Sequence, residues 1–195
     1  MVRLRPATPD DASPIAAVHV ATWRDAYADI LPREMLVGLS ASCHTERWLK
    51  TLRQRRRREN ITVAVADNTV VGFATAGPAR RHWGTDAGEV TMLYVLGDYQ
   101  ERGLGRALLR DSFDALRRHG MTRALVWVVA QNPARFFYEA MGGTARHNRR
   151  EHLWGTTVAT VGYAWDDLDA AVRALDATMA RAANGPGHLP PDARP

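Results

Sequence analysis

Residues 99–109 read Tyr99-Gln100-Glu101-Arg102-Gly103-Leu104-Gly105-Arg106-Ala107-Leu108-Leu109. They lie between a strand-like run and an amphipathic helical pattern. Successive backbone N–H groups at such a junction, together with the positive end of the helix dipole, form a cradle for a pyrophosphate. Gly103 and Gly105 would let phosphate oxygens approach the main chain. Arg102 and Arg106 would add charge-assisted contacts. Two other phosphate loops are excluded by spacing. No Gly-Lys-Ser/Thr follows, and Leu108 stands where a dinucleotide fingerprint needs its third glycine. Taken alone, the segment also suits a tight turn that needs glycine.

Other residues carry weaker signals. Trp23 and Tyr27 are four apart, hence on one helix face, as core packing or as a site wall. His82, Trp83, His147 and His152 fall in expected loops, and no His-x-x-x-His pair suggests a metal. Arg149-Arg150-Glu151 reads as a solvated turn that could also choose a charged acceptor. Arg53 to Arg58 reads as a solvated helix end, with no interleaved aromatics for base stacking. Cys43 is the only cysteine and has no adjacent histidine motif for covalent catalysis.

The surrounding pattern predicts the elements that hold these residues. Val2 to Arg5 alternates as a short strand. Asp10 or Asp11 caps a helix that runs to Tyr27 and breaks at Pro32. A second helical region covers Arg33 to Arg58, interrupted near Gly38 to Ser42. Asn60–Ala66 and Thr69–Ala76 form a hairpin about Asp67-Asn68. Residues 79–88 are a loop, and Glu89 to Val95 is the next strand. A helix from Gly103 to His119 ends at Gly120. Ala124 to Val129 reads as a strand covered on both faces. Asn132 caps a short helix stopped by Gly142-Gly143. Strands follow at Thr144–Asn148 and Thr157–Trp165, and Asp166 caps a last helix. The order gives an α/β protein with a mixed sheet, one domain over 1–182 and a flexible Pro/Gly-rich tail over 183–195.

Composition agrees with a single globular domain. The chain has 195 residues, 46% hydrophobic and 24% charged. One cysteine excludes a disulfide framework. No stretch reaches the roughly 18 apolar residues of a membrane span, and residues 1–6 lack a signal-peptide core. The expected location is therefore cytoplasmic. Among 26 basic residues Lys50 is the only lysine, so the net charge of +5 reflects arginine usage more than a nucleic-acid partner. It would still attract anionic ligands.

Four segments in order carry a resemblance. The strand Glu89-Val90-Thr91-Met92-Leu93-Tyr94-Val95 followed by Gln100-x-x-Gly103-x-Gly105 resembles the acetyl-CoA motif of the GNAT N-acetyltransferase superfamily. Asn132-Pro133-Ala134-Arg135-Phe136-Phe137-Tyr138-Glu139-Ala140-Met141-Gly142 resembles its second motif. Trp23-Arg24-Asp25-Ala26-Tyr27 with Leu31-Pro32, and Tyr163-Ala164-Trp165-Asp166-Asp167-Leu168, complete it over about residues 2 to 170. Gly97 departs from a common proline, and Gly143 from a common aromatic residue.

The resemblance implies about seven mostly antiparallel strands, splayed between the fourth and fifth and flanked by helices. It implies acetyl-CoA as co-substrate and no metal. Leu93, Tyr94 and Val95 would meet the pantetheine arm. Gln100, Glu101, Arg102, Gly103, Leu104, Gly105 and Arg106 would hold the pyrophosphate, with Asn132 and Arg135 on the other side. Tyr138 matches the acid position and Glu89 a frequent base position, with water as the alternative base. Trp23 and Tyr27 would border the acceptor. The implied reaction is direct acetyl transfer to a primary amine of a small molecule or peptide. Membrane partners are not implied, nucleic acid is disfavoured, and a homodimer is compatible. A non-catalytic acyl-CoA sensor is the alternative, since fold alone does not fix function.

Overall fold

The computed structural model describes residues 2–79, 83–153 and 155–183. The expected tail from residue 184 onward, and His82, lie outside the described residues. Seven strands form one sheet: β1 (Val2–Pro6), β2 (Asn60–Ala66), β3 (Thr69–Pro78), β4 (Ala87–Val95), β5 (Arg123–Val129), β6 (Thr144–Leu153) and β7 (Thr156–Trp165). Their spatial order is β1-β2-β3-β4-β5-β7-β6. Every pairing is antiparallel except β4 with β5. This is the expected mixed sheet.

Helices cover both faces. On one face lie α1 (Ala12–Ala26), α2 (Arg33–Val37) and α3 (Ala41–Arg53). Ile15, Ala16, Trp48 and Leu52 pack there against Val63 and Phe73 of the sheet. On the other face lie α4 (Leu104–Arg118), α5 (Ala134–Ala140) and α6 (Leu168–Ala183). Leu109, Phe113 and Leu116 of α4 pack with Val90, Val126, Leu168 and Val172. The three- and four-residue spacing along α4 places these side chains on one stripe. Among the described residues, no helix is long and apolar enough to cross a membrane.

Turn and cap chemistry explains several boundaries. Asp67 and Asn68 both adopt positive φ, 47° and 62°, the twist a two-residue hairpin demands. Gly120, at φ 78°, ends α4. Ser40 caps α3 by accepting from the Cys43 amide. Gly143 leaves no room for the aromatic residue common in the resembled motif, because a Cβ would sit 2.7 Å from the Trp165 ring.

Four expectations need correction. The second helical region is interrupted where expected, between α2 and α3, but it ends at Arg53, before the rest of the arginine run. Within that run Arg58 donates to the His119 carbonyl. The last helix is capped by Asp167, whose Oδ1 accepts from Ala170 N, while Asp166 pairs with Arg146 at 2.6 Å. Asp11 stands before α1, but its carboxylate turns back to Thr8 and Arg5. β6 continues through Arg149-Arg150-Glu151 to Leu153, so His147 and His152 belong to a strand. This edge strand is made almost wholly of charged and polar side chains, which hid it from a hydrophobicity pattern.

Leu108 is fully buried between α4 and the sheet. Leu108→Ala should lower the unfolding free energy by about 2–5 kcal/mol in urea titrations, with little change in slope.

Candidate active site

β4 and β5 touch only at their beginnings. Ala87, Gly88 and Glu89 pair with Arg123, Ala124 and Leu125, and no further residue pairs. The cause is visible on the other edge of β4. Ala76 pairs with Val90 and Thr75 with Met92, so Thr91 is an inserted residue. Its hydroxyl bonds that of Thr75 at 2.6 Å. A bulge of this kind bends its strand and ends regular pairing.

Past the bulge, the amides of β4 alternate in direction. Leu96 N donates to Val71 O on β3 at 2.9 Å. Leu93 and Val95, opposite Ala74 and Gly72, therefore turn their N–H and C=O groups to the other edge, into the gap. The Val95 carbonyl is met there by Gln100 Nε2 at 2.9 Å. The bulge also sorts the side chains. Val90 and Leu93 face α4, and Met92 and Tyr94 face α1. A Cβ on Gly88 would strike Leu116 and Met121 on the α4 side, so Glu89, next along the strand, faces the α1 side.

The glycine turn lies at the end of the same strand. Gly103 has φ +80°, and Glu101, without that freedom, has φ +58°. α4 begins at Leu104, so its first amides have no acceptor within the helix. Arg106 Nε is buried and has no hydrogen-bond partner among the described residues. Gly105 permits a close approach, since a Cβ there would lie 3.3 Å from the Phe137 ring and 4.0 Å from Leu93. An orphaned guanidinium nitrogen beside free helix amides suits an anionic phosphate. These residues fit the pyrophosphate of a CoA thioester.

The expected catalytic pair flanks the gap. Tyr138 is buried on α5 beside Phe137, Tyr163 and Trp165. Burial, with the nearby charge of Tyr27 second, pushes its phenol above the ordinary range. Glu89 is buried at the vertex of the fork. Trp23 and Tyr27 are in contact, with ring centroids 4.8 Å apart. Trp23 Nε1 donates to the Tyr94 hydroxyl at 2.8 Å. Burial raises Tyr27, while Asn132 and Tyr94 pull it back. Burial raises Tyr94 well above normal, with the charges of Tyr27 and Tyr138 contributing. Hydroxyls from both faces thus converge at the gap.

Other expected residues have more local engagements. Asn132 Oδ1 accepts from Ala134 N at 2.9 Å and so opens α5. The Arg135 guanidinium lies 4.3 Å from the centroid of the exposed Phe136 ring, and that of Arg102 5.5 Å from Tyr99. Leu104 is buried under the turn, and Glu101 is exposed. Sequence reading missed Trp127. It took Ala124–Val129 as covered on both faces, whereas Trp127 is half-buried on the α1 side. A tryptophan inside an aliphatic strand was the available signal.

Under Tyr94 sits His19, stacked at 5.3 Å. Its Nδ1 accepts from Trp48 Nε1 at 3.3 Å, which fixes the proton on Nε2. Burial, with the charge of His44 second, pushes His19 down to about 4.

The chain is similar to known proteins along most of its length. Residues 21–143 match the model of the acetyltransferase (GNAT) family. An uncharacterized N-acetyltransferase of Bacillus subtilis, YuaI, is 34% identical over 87% of this chain and 96% of its own. YncA of Salmonella typhimurium, solved with its cofactor acetyl-CoA, superposes with a TM-score of 0.65 at 20% identity, over 100% of this chain and 99% of that one. The PaiA N-acetyltransferase of Thermoplasma acidophilum, solved with coenzyme A, gives 0.61 at 19% identity, over 83% and 98%.

His19 should stay neutral down to about pH 4 in an NMR titration. An unfolded histidine titrates near 6.5, so the unfolded state takes up the proton first. Stability should therefore be full above about pH 6.5 and fall as pH drops toward 4. A His19 midpoint near 6.5 would contradict the geometry.

Proposed function

Because the chain belongs to the acetyltransferase (GNAT) family, we propose that it transfers an acetyl group from acetyl-CoA to the primary amine of a small-molecule or peptide acceptor. The observation that carries this reading is the open edge of β4, which leads from the fork at Glu89 to the glycine turn before α4. Leu93 and Val95 would pair with the pantetheine arm along that edge. Gln100, already bonded to Val95 O, keeps the end of the edge in place. Gly103 to Arg106 would take the pyrophosphate on their amides and on the free Arg106 Nε. Glu101, Arg102 and Arg135 would meet the outer part of the cofactor, and Leu104 and Asn132 would hold the two loops that enclose it.

Acetyl-CoA supplies an activated acyl group, which a neutral amine attacks and from which CoA thiolate departs. The residues have separate tasks in that exchange. Glu89, on the α1 side, would take the ammonium proton directly or through water. A backbone N–H of the open edge would meet the developing oxyanion. Tyr138, kept protonated by burial, would give its hydroxyl proton to the departing sulfur. Trp23, Tyr27 and the Tyr94 hydroxyl would line the acceptor entrance. The acid and the base then approach from opposite faces and do not compete for one proton.

The test combines thiol-release kinetics over a primary-amine panel with calorimetric titration. Tyr138→Phe should lower kcat by about 10²-fold or more while acetyl-CoA affinity stays within about twofold. An unaltered kcat would remove Tyr138 from the reaction.

A further inference from the structure

On the α1 face, beside the fork, a charged side chain is held in an unusual way. Trp127 of β5, Gly162 of β7 and His147 of β6 lie in one row across three strands. A Cβ on Gly162 would come within 3.1 Å of the Trp127 ring and of His147 Cβ. The missing side chain therefore lets the indole lie across β7. The guanidinium carbon of Arg149, from the next row of β6, sits 3.7 Å from the Trp127 ring centroid. Glu151, two residues on and on the same face, pairs with Arg149 Nη2. Trp83 closes one side, 4.4 Å from His147 and 6.2 Å from Trp127. Arg149 nonetheless keeps 39% of its side chain exposed.

This arrangement fixes an orientation. A guanidinium held over an indole face keeps its N–H donors in its own plane, aimed outward from the ring contact. The pair with Glu151 uses Nη2, which belongs to both forks of a guanidinium, so an incoming planar anion would share that nitrogen with Glu151 while engaging Nη1 or Nε beside it. The position also matters. Trp127 follows Leu125 by one alternation, and Leu125 pairs with Glu89 at the vertex. Adjacent strands are about 4.8 Å apart, so the guanidinium lies about one or two strand spacings from the gap. That is within the span of an amino-acid-sized molecule.

We infer that Arg149, held on Trp127, selects an acceptor that carries a carboxylate beside its reacting amine: a free amino acid or a small relative of one. The inference rests on the acetyl-transfer reading above and names its substrate class. Glu151 shares the guanidinium with the incoming carboxylate. Its negative charge keeps Arg149 in place in the free enzyme and opposes the ligand once it arrives. The two side chains therefore act on acceptor affinity in opposite directions.

The experiment compares free amino acids with their carboxamides as acceptors, with rates normalised to the neutral amine fraction. The wild type should prefer the free acids by about tenfold or more in kcat/KM. Arg149→Gln should raise KM for the free acids at least tenfold more than for the carboxamides, with most of the effect in KM. Arg149→Lys should restore little, since ammonium offers no planar fork. Glu151→Gln should lower KM for the free acids. Circular dichroism and acetyl-CoA titration establish that each variant is folded and binds its cofactor. Equal losses on both series, or a wild-type preference for carboxamides, would overturn the inference and leave acetyl transfer standing. No turnover of either series by protein that binds acetyl-CoA would overturn the inference alone, and no turnover across the wider primary-amine panel would overturn acetyl transfer as well.

Discussion

A strand edge with no neighbour carries donors and acceptors that must find water, a side chain or a ligand. The edge of β4 beyond Thr91 is in that position. One inserted residue, pinned by the Thr75–Thr91 hydroxyl contact, turns the strand away from β5 after three paired residues. Everything else at the site depends on this separation. It exposes the main chain of Leu93 and Val95, and the same inserted residue puts Val90 and Met92 on opposite faces. It also lets groups from α1 and α5 approach each other through the sheet.

The rest of the fold keeps that gap from closing. α4 is anchored by fully buried Leu108, Leu109, Phe113 and Leu116, so its first turn stays fixed at the end of β4. Gly105 lets Phe137 come close, which ties α5 and its Tyr138 to the same corner. On the other face Trp23, Tyr94, His19 and Trp48 form a continuous set of hydrogen bonds and ring contacts behind the acceptor side. The neutrality of His19 follows from this enclosure. A protonated imidazole there would need solvent or a carboxylate, and burial disfavours it.

Much of this was legible in the sequence, where a local rule was at work. Asp67-Asn68 and Gly103 announce backbone conformations that few residues adopt, and each was read at its position. Helical periodicity located α4, because its apolar stripe is uninterrupted. The gap itself is an absence of pairing, set by one bulged residue, and Thr91 looks like any strand residue. Only the family resemblance pointed to it. Arg149 and Glu151 were read as a solvated turn that could also choose a charged acceptor, because an edge strand of charged and polar residues carries no hydrophobic signal. Trp127 was read as core, because a run apolar on both faces hides which face is open. Asp166 and Asp167 are adjacent and chemically equivalent, so only the structure separates the ion pair from the cap.

The central claim is that the open edge of β4 is the place where acetyl-CoA pairs with the protein. Amide hydrogen exchange, resolved by NMR with and without acetyl-CoA, reads that edge directly. The account predicts strong added protection at Leu93 and Val95 together with Gly103 to Arg106, and little change along β1 and β2. Protection confined to the glycine turn, or spread evenly over the sheet, would contradict it.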